Sequence, residues 1–149
     1  MNSKNILPPT WLLIAMLAML GLHFLFPAAR IIPRFWNLSG LVFIILGLAM
    51  NLVADGAFKQ ARTTVKPFQE SSVLVTNGVF RISRNPMYLG FVLILTGIAV
   101  LLRSLSPYLI IFAFVFLIDK TYISVEERML AEKFGLEWEA YKGKTRRWF

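Results

Sequence analysis

The sequence contains no cysteine and only one histidine, and these shortages exclude several kinds of chemistry. Without cysteine the chain forms no disulfide, offers no thiolate to a metal and has no cysteine nucleophile. Because His23 stands alone inside an apolar run, transition-metal catalysis and Cys-His or Ser-His nucleophilic catalysis lack their usual residues, and we predict no metal site. A Rossmann-type glycine-rich phosphate loop is also missing, so a nucleotide-like cofactor needs another architecture.

Acidic residues are scarce as well, since 8 Asp and Glu stand against 16 Lys and Arg for a net charge of +8. Positive charge can indicate nucleic-acid binding, but no such motif interrupts the apolar runs, and basic residues commonly flank membrane spans. We therefore predict membrane lipids as partners and no nucleic acid. In 149 residues, 57% of them hydrophobic, four or five bilayer-crossing helices of roughly 20 residues nearly exhaust the chain.

The apolar runs predict an all-α integral membrane protein with four to five transmembrane helices, a helical hairpin and a cytoplasmic C-terminal helix or tail. Residues 1–149 form one membrane domain in this interpretation. Its parts are two N-terminal spans at about 11–27 and 37–55, a loop at about 56–85, the hairpin at about 86–121 and a C-terminal cap at about 122–149. The last span is expected to continue as one helix beyond the membrane until Gly135.

Lys and Arg are unevenly distributed along these parts. Thirteen of the 16 lie near the N-terminus, in the loop or after Ile118, whereas Arg30, Arg34 and Arg103 lie in the two turns between spans. The positive-inside rule then predicts that both termini and the loop face the cytoplasm, in the cytoplasmic (inner) membrane.

Three polar residues recur at helical spacing after the last apolar run, namely Asp119, Tyr122 and Glu126. Charged helix faces are more often solvated surfaces than functional sites. Asp119 is harder to explain in that way, because an acid that directly ends a span is costly unless it is paired or functional. We expect Arg84 or Lys120 as its partner.

The junction between the loop and the third span has features of both an anion site and a helix contact. Pro86 suits the first turn of a helix, whose free amides favour an anionic group, and Arg81 and Arg84 add positive charge there. Gly90 and Gly97 lie seven residues apart on one helical face, which permits close approach of another helix or of a ligand. Helix packing is the commoner use of such a pair.

Three segments together resemble the integral membrane S-adenosylmethionine-dependent methyltransferases, which include isoprenylcysteine carboxyl methyltransferases and phospholipid methyltransferases. Residues 84–90, RNPMYLG, are similar to the family's Arg-His/Asn-Pro-x-Tyr-x-Gly, and residues 126–130, EERML, to its Glu-Glu-x-x-Leu. Residues 134–148 share its closing order of Phe-Gly, spaced aromatics and a basic-aromatic end. Asn85 stands where many members have His, and Trp138 where Tyr is usual; Asn can donate and accept a hydrogen bond but cannot titrate.

The resemblance implies S-adenosylmethionine bound between the third and fourth helices under the tail, with a lipophilic small-molecule or lipid acceptor entering from the bilayer. Glu126 would bind the cofactor's amino group, and Tyr88 and Tyr141 would flank its adenine or sulfonium. The implied cofactor-binding residues are Arg84, Asn85, Pro86, Tyr88, Gly90, Glu126 and Tyr141. The implied catalytic residues are Glu127, as base for an amine acceptor, and Arg146 and Arg147, which would position a carboxylate; the shortage of histidine favours the carboxylate.

Two other classes of protein remain open at this point. One is an NADPH-dependent, sterol-reductase-like membrane enzyme, whose C-terminal helices are arranged similarly but whose chains are usually longer. The other is a small multi-span exporter, although such proteins typically need an acid within a span. The sequence leaves the identity of the acceptor and the oligomeric state open.

Overall fold

The computed structural model describes residues 7–63 and 71–149, and all regular elements within these ranges are helical. The all-α fold class is thereby confirmed. Residues 64–70 of the predicted loop lie outside the described residues, as does Lys4. The elements are α1 (Pro8–Leu25), a 3₁₀ turn (Trp36–Ser39), α2 (Gly40–Gln60), a second 3₁₀ turn (Gly78–Arg81), α3 (Pro86–Leu102), α4 (Ser106–Ile118), a π-helical segment (Asp119–Ile123), α5 (Ser124–Phe134) and α6 (Leu136–Lys144).

Prolines start three of these helices, because their missing N–H groups would lack intrahelical partners in a first turn anyway. Pro8, Pro86 and Pro107 each lie in the first two positions of α1, α3 and α4. At the other end of α3, Arg103 adopts a left-handed conformation with φ 65°, and its N–H donates to Ala99 O at 3.1 Å. The chain can then turn directly into α4.

Within the described ranges, three helices are long and apolar enough to cross a membrane: α1, the 25 residues Trp36–Gln60 and the 29 residues Ser106–Phe134. The shorter α3, with 17 residues, extends about 25 Å. Large apolar side chains on the outer helices are exposed, for example Leu52 at 73% and Phe112 at 74%. This surface suits lipid rather than water, which confirms an integral membrane protein.

The 29-residue helix is longer than the bilayer core requires. At ~1.5 Å per residue it extends about 43 Å, against roughly 30 Å of hydrocarbon. Its last part, α5, carries the charged sequence SVEERMLAEKF. We therefore assign Ser106–Ile123 to the membrane and α5 to the water-facing side, as expected for one helix that continues past the span.

A seam of glycines holds α2 against α3. A Cβ atom at Gly97 would lie 2.4 Å from Gly40 O, and one at Gly47 would lie 2.5 Å from Gly90 O. The two backbones are thus in contact at two points one heptad apart, which side chains would prevent. The predicted face of Gly90 and Gly97 is used for helix packing.

The turns that follow α1 and α3 meet at one end of the bundle. Ile31 N donates to Arg103 O at 3.0 Å, and His23 Nδ1 lies 2.8 Å from Ser104 Oγ, which is buried. The single histidine therefore belongs to helix packing at this end. The 3₁₀ turn before α3, α5 and α6 all lie at the opposite end, where a cavity opens.

Candidate active site

A cavity of about 640 Å³ lies between the start of α3, α5 and α6, with walls added by the start of α1 and the end of α2. This volume falls within the range of roughly 300–1,000 Å³ that is usual for small-molecule sites. Among the described residues its lining combines carboxylates, cations, aromatic rings and aliphatic side chains: Leu7, Pro8, Pro9, Phe58, Ser71, Val73, Leu74, Val75, Phe80, Arg84, Asn85, Pro86, Met87, Tyr88, Phe91, Glu126, Glu127, Met129, Leu130, Glu132, Lys133, Trp138 and Tyr141.

Arg84 and Glu127 form a buried ion pair at the base of this cavity. Arg84 Nε and Nη2 donate to Glu127 Oε1 at 3.1 and 2.9 Å, and the two side chains are only 9% and 11% exposed. Arg84 Nη1 also donates to Thr145 O at 2.7 Å, and the guanidinium lies 5.6 Å from the centre of the Trp138 ring. Charge, hydrogen bonds and a cation–π contact thus fix this arginine.

Arg147 extends the same network to the end of the membrane span. Its Nη2 donates to Glu127 Oε2 at 2.5 Å, and its Nη1 donates to Asp119 Oδ1 at 3.1 Å. These contacts raise the pKa of Arg147, chiefly through the hydrogen bond to Glu127. The acid that ends the apolar run is therefore paired, but the predicted partners Arg84 and Lys120 were wrong.

Backbone contacts fasten the tail across the start of α3. The main-chain oxygen of Arg147 accepts from Ser83 Oγ and from Asn85 Nδ2, both at 3.1 Å. Arg84 N donates to Arg146 O at 3.0 Å. Asn85 thus donates its side-chain amide to the tail, and this structural role does not require a titrating group.

Tyr88 and Glu126 place a second carboxylate in the cavity. Tyr88 OH donates to Glu126 Oε1 at 2.9 Å across the gap between α3 and α5. Burial raises the pKa of Glu126 to about 7, with a smaller upward effect from neighbouring Glu127 and an opposing one from the Tyr88 hydrogen bond. Glu126 therefore changes its charge close to neutral pH.

Aromatic rings close the cavity on the α6 side. Tyr141 OH donates to Phe80 O at 2.6 Å, and the Trp138 and Tyr141 rings lie 5.8 Å apart in an edge-to-face arrangement. Both side chains are buried, Trp138 at 2% exposure. Trp138, which stands where the resembling family usually has Tyr, thus packs the cavity wall and contacts Arg84.

The structure brings together most of the residues that the sequence singled out. Arg84, Asn85, Pro86, Tyr88, Glu126, Glu127 and Tyr141 all line the one cavity. Gly90 is not among the described lining residues, because it faces Gly47 and Asn51 of α2. Of the two tail arginines, Arg147 pairs with Asp119 and Glu127. Arg146 is exposed, and its main-chain oxygen accepts a hydrogen bond from Arg84 N.

Sequence reasoning missed the contribution of α1. Trp11 Nε1 donates to Tyr122 OH at 3.0 Å, although the two residues are 111 positions apart. Tyr122 is fully buried in the π-helical segment, and its ring lies 6.3 Å from that of Tyr88. The only sequence signals were a tryptophan at the start of the first span and a tyrosine in the polar stripe, and neither specifies a partner.

These features define an all-helical membrane protein with a polar and aromatic cavity at one end of its spans. Residues 35–137 match the phospholipid methyltransferase family, and the chain belongs to that family. The resemblance drawn from the three segments is confirmed. The match includes α2, α3, α4 and α5 but begins after α1.

Two individual relatives are also named as methyltransferases, of the isoprenylcysteine type. The chain is 38% identical over 142 residues to protein-S-isoprenylcysteine O-methyltransferase of Saccharomyces cerevisiae, covering 88% of this chain and 58% of the relative. It is 32% identical over 139 residues to the probable protein-S-isoprenylcysteine O-methyltransferase of Oryza sativa subsp. indica, covering 88% of this chain and 69% of the relative. None of the solved structures matches. The expectation of a membrane methyltransferase is confirmed at the level of the family, and neither the reductase nor the exporter alternative is favoured.

Proposed function

We propose that this protein is a membrane-embedded methyltransferase that moves a methyl group from S-adenosylmethionine to a lipophilic acceptor. The observation that carries the proposal is the cavity, which joins residues of all three family-like segments in one space next to the bilayer. Since the chain spans about three-fifths of the yeast relative's length, activity, substrates and partners are proposals for this chain.

The lining suits the chemistry of this cofactor. S-adenosylmethionine combines a sulfonium cation, an amino group, a carboxylate and an aromatic base. Glu126 and Glu132 offer negative charge for the cationic groups, and the rings of Phe80 and Tyr141 offer flat apolar surface for the base. Lys133 brings positive charge to the lining.

The buried network holds the site rather than reacting in it. Glu127 accepts from two guanidinium groups, and Arg84 uses Nε, Nη1 and Nη2 on Glu127 and the tail, so both are suited to fixing the cavity base. We therefore assign Glu127, Arg84 and Arg147 to orientation of the start of α3 and the tail. Under this assignment, Glu127 orients the start of α3 and the tail and does not act as a base.

When bound, S-adenosylmethionine supplies a methyl group on a positively charged sulfur. Its transfer to a nucleophile disperses that charge, so alignment of the reactants and exclusion of water are what the protein has to provide. Tyr88, through its hydrogen bond to Glu126, is placed to align the reactants. The apolar wall of Pro8, Pro9 and Phe91 excludes water.

We propose as acceptor a lipophilic carboxylate, such as an isoprenylcysteine, with a lipid headgroup as the alternative. A carboxylate is already ionised at neutral pH and needs no base, which agrees with the engagement of Glu127 by two arginines. The names of the yeast and rice relatives support the isoprenylcysteine, whereas the family name refers to phospholipids. The distribution of Lys and Arg supports a cytoplasmic-membrane protein with both termini in the cytoplasm.

Isothermal titration of detergent-purified protein with S-adenosylmethionine tests the cofactor assignment. We expect saturable binding, and an affinity at least tenfold lower in Glu126→Gln, because a charge-assisted hydrogen bond is lost. Glu137→Gln, at an exposed position of α6, is the matched control and should bind normally. A folded protein that does not bind S-adenosylmethionine, or that binds NADPH instead, would contradict the proposal.

Mass spectrometry identifies the acceptor. Purified protein is incubated with methyl-labelled S-adenosylmethionine and either S-farnesylcysteine or phosphatidylethanolamine. We expect label in the carboxyl ester of the former. Label in the phospholipid amine alone would contradict the carboxylate assignment while leaving the methyltransferase assignment standing.

A further inference from the structure

The first turn of α1 forms a wall of the cavity although α1 precedes the family-matched segment. Leu7, Pro8 and Pro9 all line the cavity. Two consecutive prolines have no backbone N–H to offer, and the carbonyl oxygen of Leu7 already accepts from Thr10 N at 2.9 Å. This wall therefore presents hydrocarbon and is poor in hydrogen-bonding groups.

Tyr88 marks the boundary between this apolar part of the cavity and its polar part. Its hydroxyl group points to Glu126 at 2.9 Å, whereas its ring contacts Phe91 edge-on at 6.4 Å and lies 6.3 Å from Tyr122. Phe91, one helical turn deeper in the span, also lines the cavity. A ligand that crosses this boundary meets charge at one end and hydrocarbon at the other.

One specific contact links the α1 wall to that boundary. The Trp11 indole N–H donates to Tyr122 OH at 3.0 Å, one turn along α1 from the lining prolines. Tyr122 cannot adjust freely, because it is fully buried in the π-helical segment, whose Asp119 carbonyl is satisfied by Ser124 Oγ at 2.7 Å. The hydrogen bond to Tyr122 thus fixes the position of Trp11 relative to Tyr88, which lies beside Tyr122.

We propose that the first turn of α1 binds the hydrocarbon part of the acceptor and that the Trp11–Tyr122 hydrogen bond sets the distance of this wall from Tyr88. Trp11 is a positioning residue, since it acts through Leu7, Pro8 and Pro9. The acceptor class is a molecule with an extended hydrocarbon chain close to its reacting group. This inference rests on the proposed function, because it assigns the polar part of the same cavity to the cofactor.

The test is a double-mutant cycle with Trp11→Phe and Tyr122→Phe, which keep aromatic packing and remove the hydrogen bond. S-farnesylcysteine and phosphatidylethanolamine serve as acceptors, with direct binding measured by calorimetry and turnover measured where it occurs. Trp36→Phe is the matched control, because Trp36 is 71% exposed and lies outside the cavity lining. The affinity for S-adenosylmethionine is measured on every variant.

We expect the acceptor KM or Kd to rise about fivefold in each single variant, the net effect of one hydrogen bond, with kcat and cofactor affinity within about twofold of wild type. The double variant should be no weaker than either single one, since both remove the same contact. Additive effects, an unchanged acceptor affinity, an equal loss of cofactor affinity or no binding of either acceptor would overturn the inference. Failure of the proposed function is distinguished by wild-type protein that binds no S-adenosylmethionine, because acceptor binding is still measured without it.

Discussion

Replacement of Glu127 by alanine should strongly destabilise the packing of the tail against the start of α3. The substitution removes two hydrogen bonds from Arg84 and one from Arg147 and leaves the Arg84 guanidinium, 9% exposed, without a counter-charge. Breaking one partner out of a buried pair typically costs about 3–5 kcal/mol. We expect a value in the upper half of this range, because Glu127 serves two arginines, although the more exposed Arg147 contributes less.

The free energy of unfolding is measured by titration with sodium dodecyl sulfate in mixed micelles. Glu139→Ala is the matched control, since Glu139 forms an exposed pair with Lys142 at 3.4 Å that is worth about 0–1 kcal/mol. Glu127→Gln should be intermediate, because the amide oxygen still accepts a hydrogen bond without the charge. If Glu127→Ala and Glu139→Ala shift the unfolding free energy equally, the buried network does not hold this end of the protein.

Two further predictions concern helix packing and pH. Gly90→Ala should lower the unfolding free energy by about 1–3 kcal/mol, because the new Cβ would lie 2.1 Å from Asn51 Nδ2. Gly143→Ala in α6, whose new Cβ meets nothing within 4 Å, should leave the unfolding free energy unchanged or raise it by up to about 1 kcal/mol, because alanine favours a helix more than glycine does. An equal loss of unfolding free energy in the two variants would argue against the glycine seam. Affinity for S-adenosylmethionine should rise with pH through about 7, because Glu126 gains its negative charge there and its amino-group partner stays protonated. Calorimetry from about pH 5.5 to about 7.5, below the ordinary α-amino pKa of about 7.7–8.0, checks this, and a flat profile in wild type would contradict the assignment of Glu126.

Two helix limits followed from local chemistry, whereas α2 continues to Gln60, beyond the predicted end of its span at about residue 55. Pro86 begins α3 and Gly135, with φ 49°, ends α5, both as the residue types require. The continuous helix from the last span into the charged segment was also expected. Local rules of this kind need no knowledge of neighbouring helices.

Partners across the bundle were predicted less well. Periodicity places Asp119 and Glu126 on one face, but it does not specify which distant helix or tail covers that face, so Arg147 was missed as the partner of Asp119. The same limit applies to Trp11 and Tyr122. Gly90, which the family-like block suggested for cofactor binding, packs against Gly47 and Asn51 of α2, so its cofactor role stays a prediction.

The tail is held largely through its peptide oxygens. Those of Thr145, Arg146 and Arg147 accept hydrogen bonds from Arg84, Ser83 and Asn85, and a carbonyl oxygen is the same in every amino acid. A change in the exposed side chain of Arg146 therefore leaves these hydrogen bonds in place, whereas insertion or deletion of a residue after Gly135 does not. A shift of one position would present each donor with a differently directed oxygen, so these backbone contacts constrain the length of the tail separately from the side-chain contacts of Arg147.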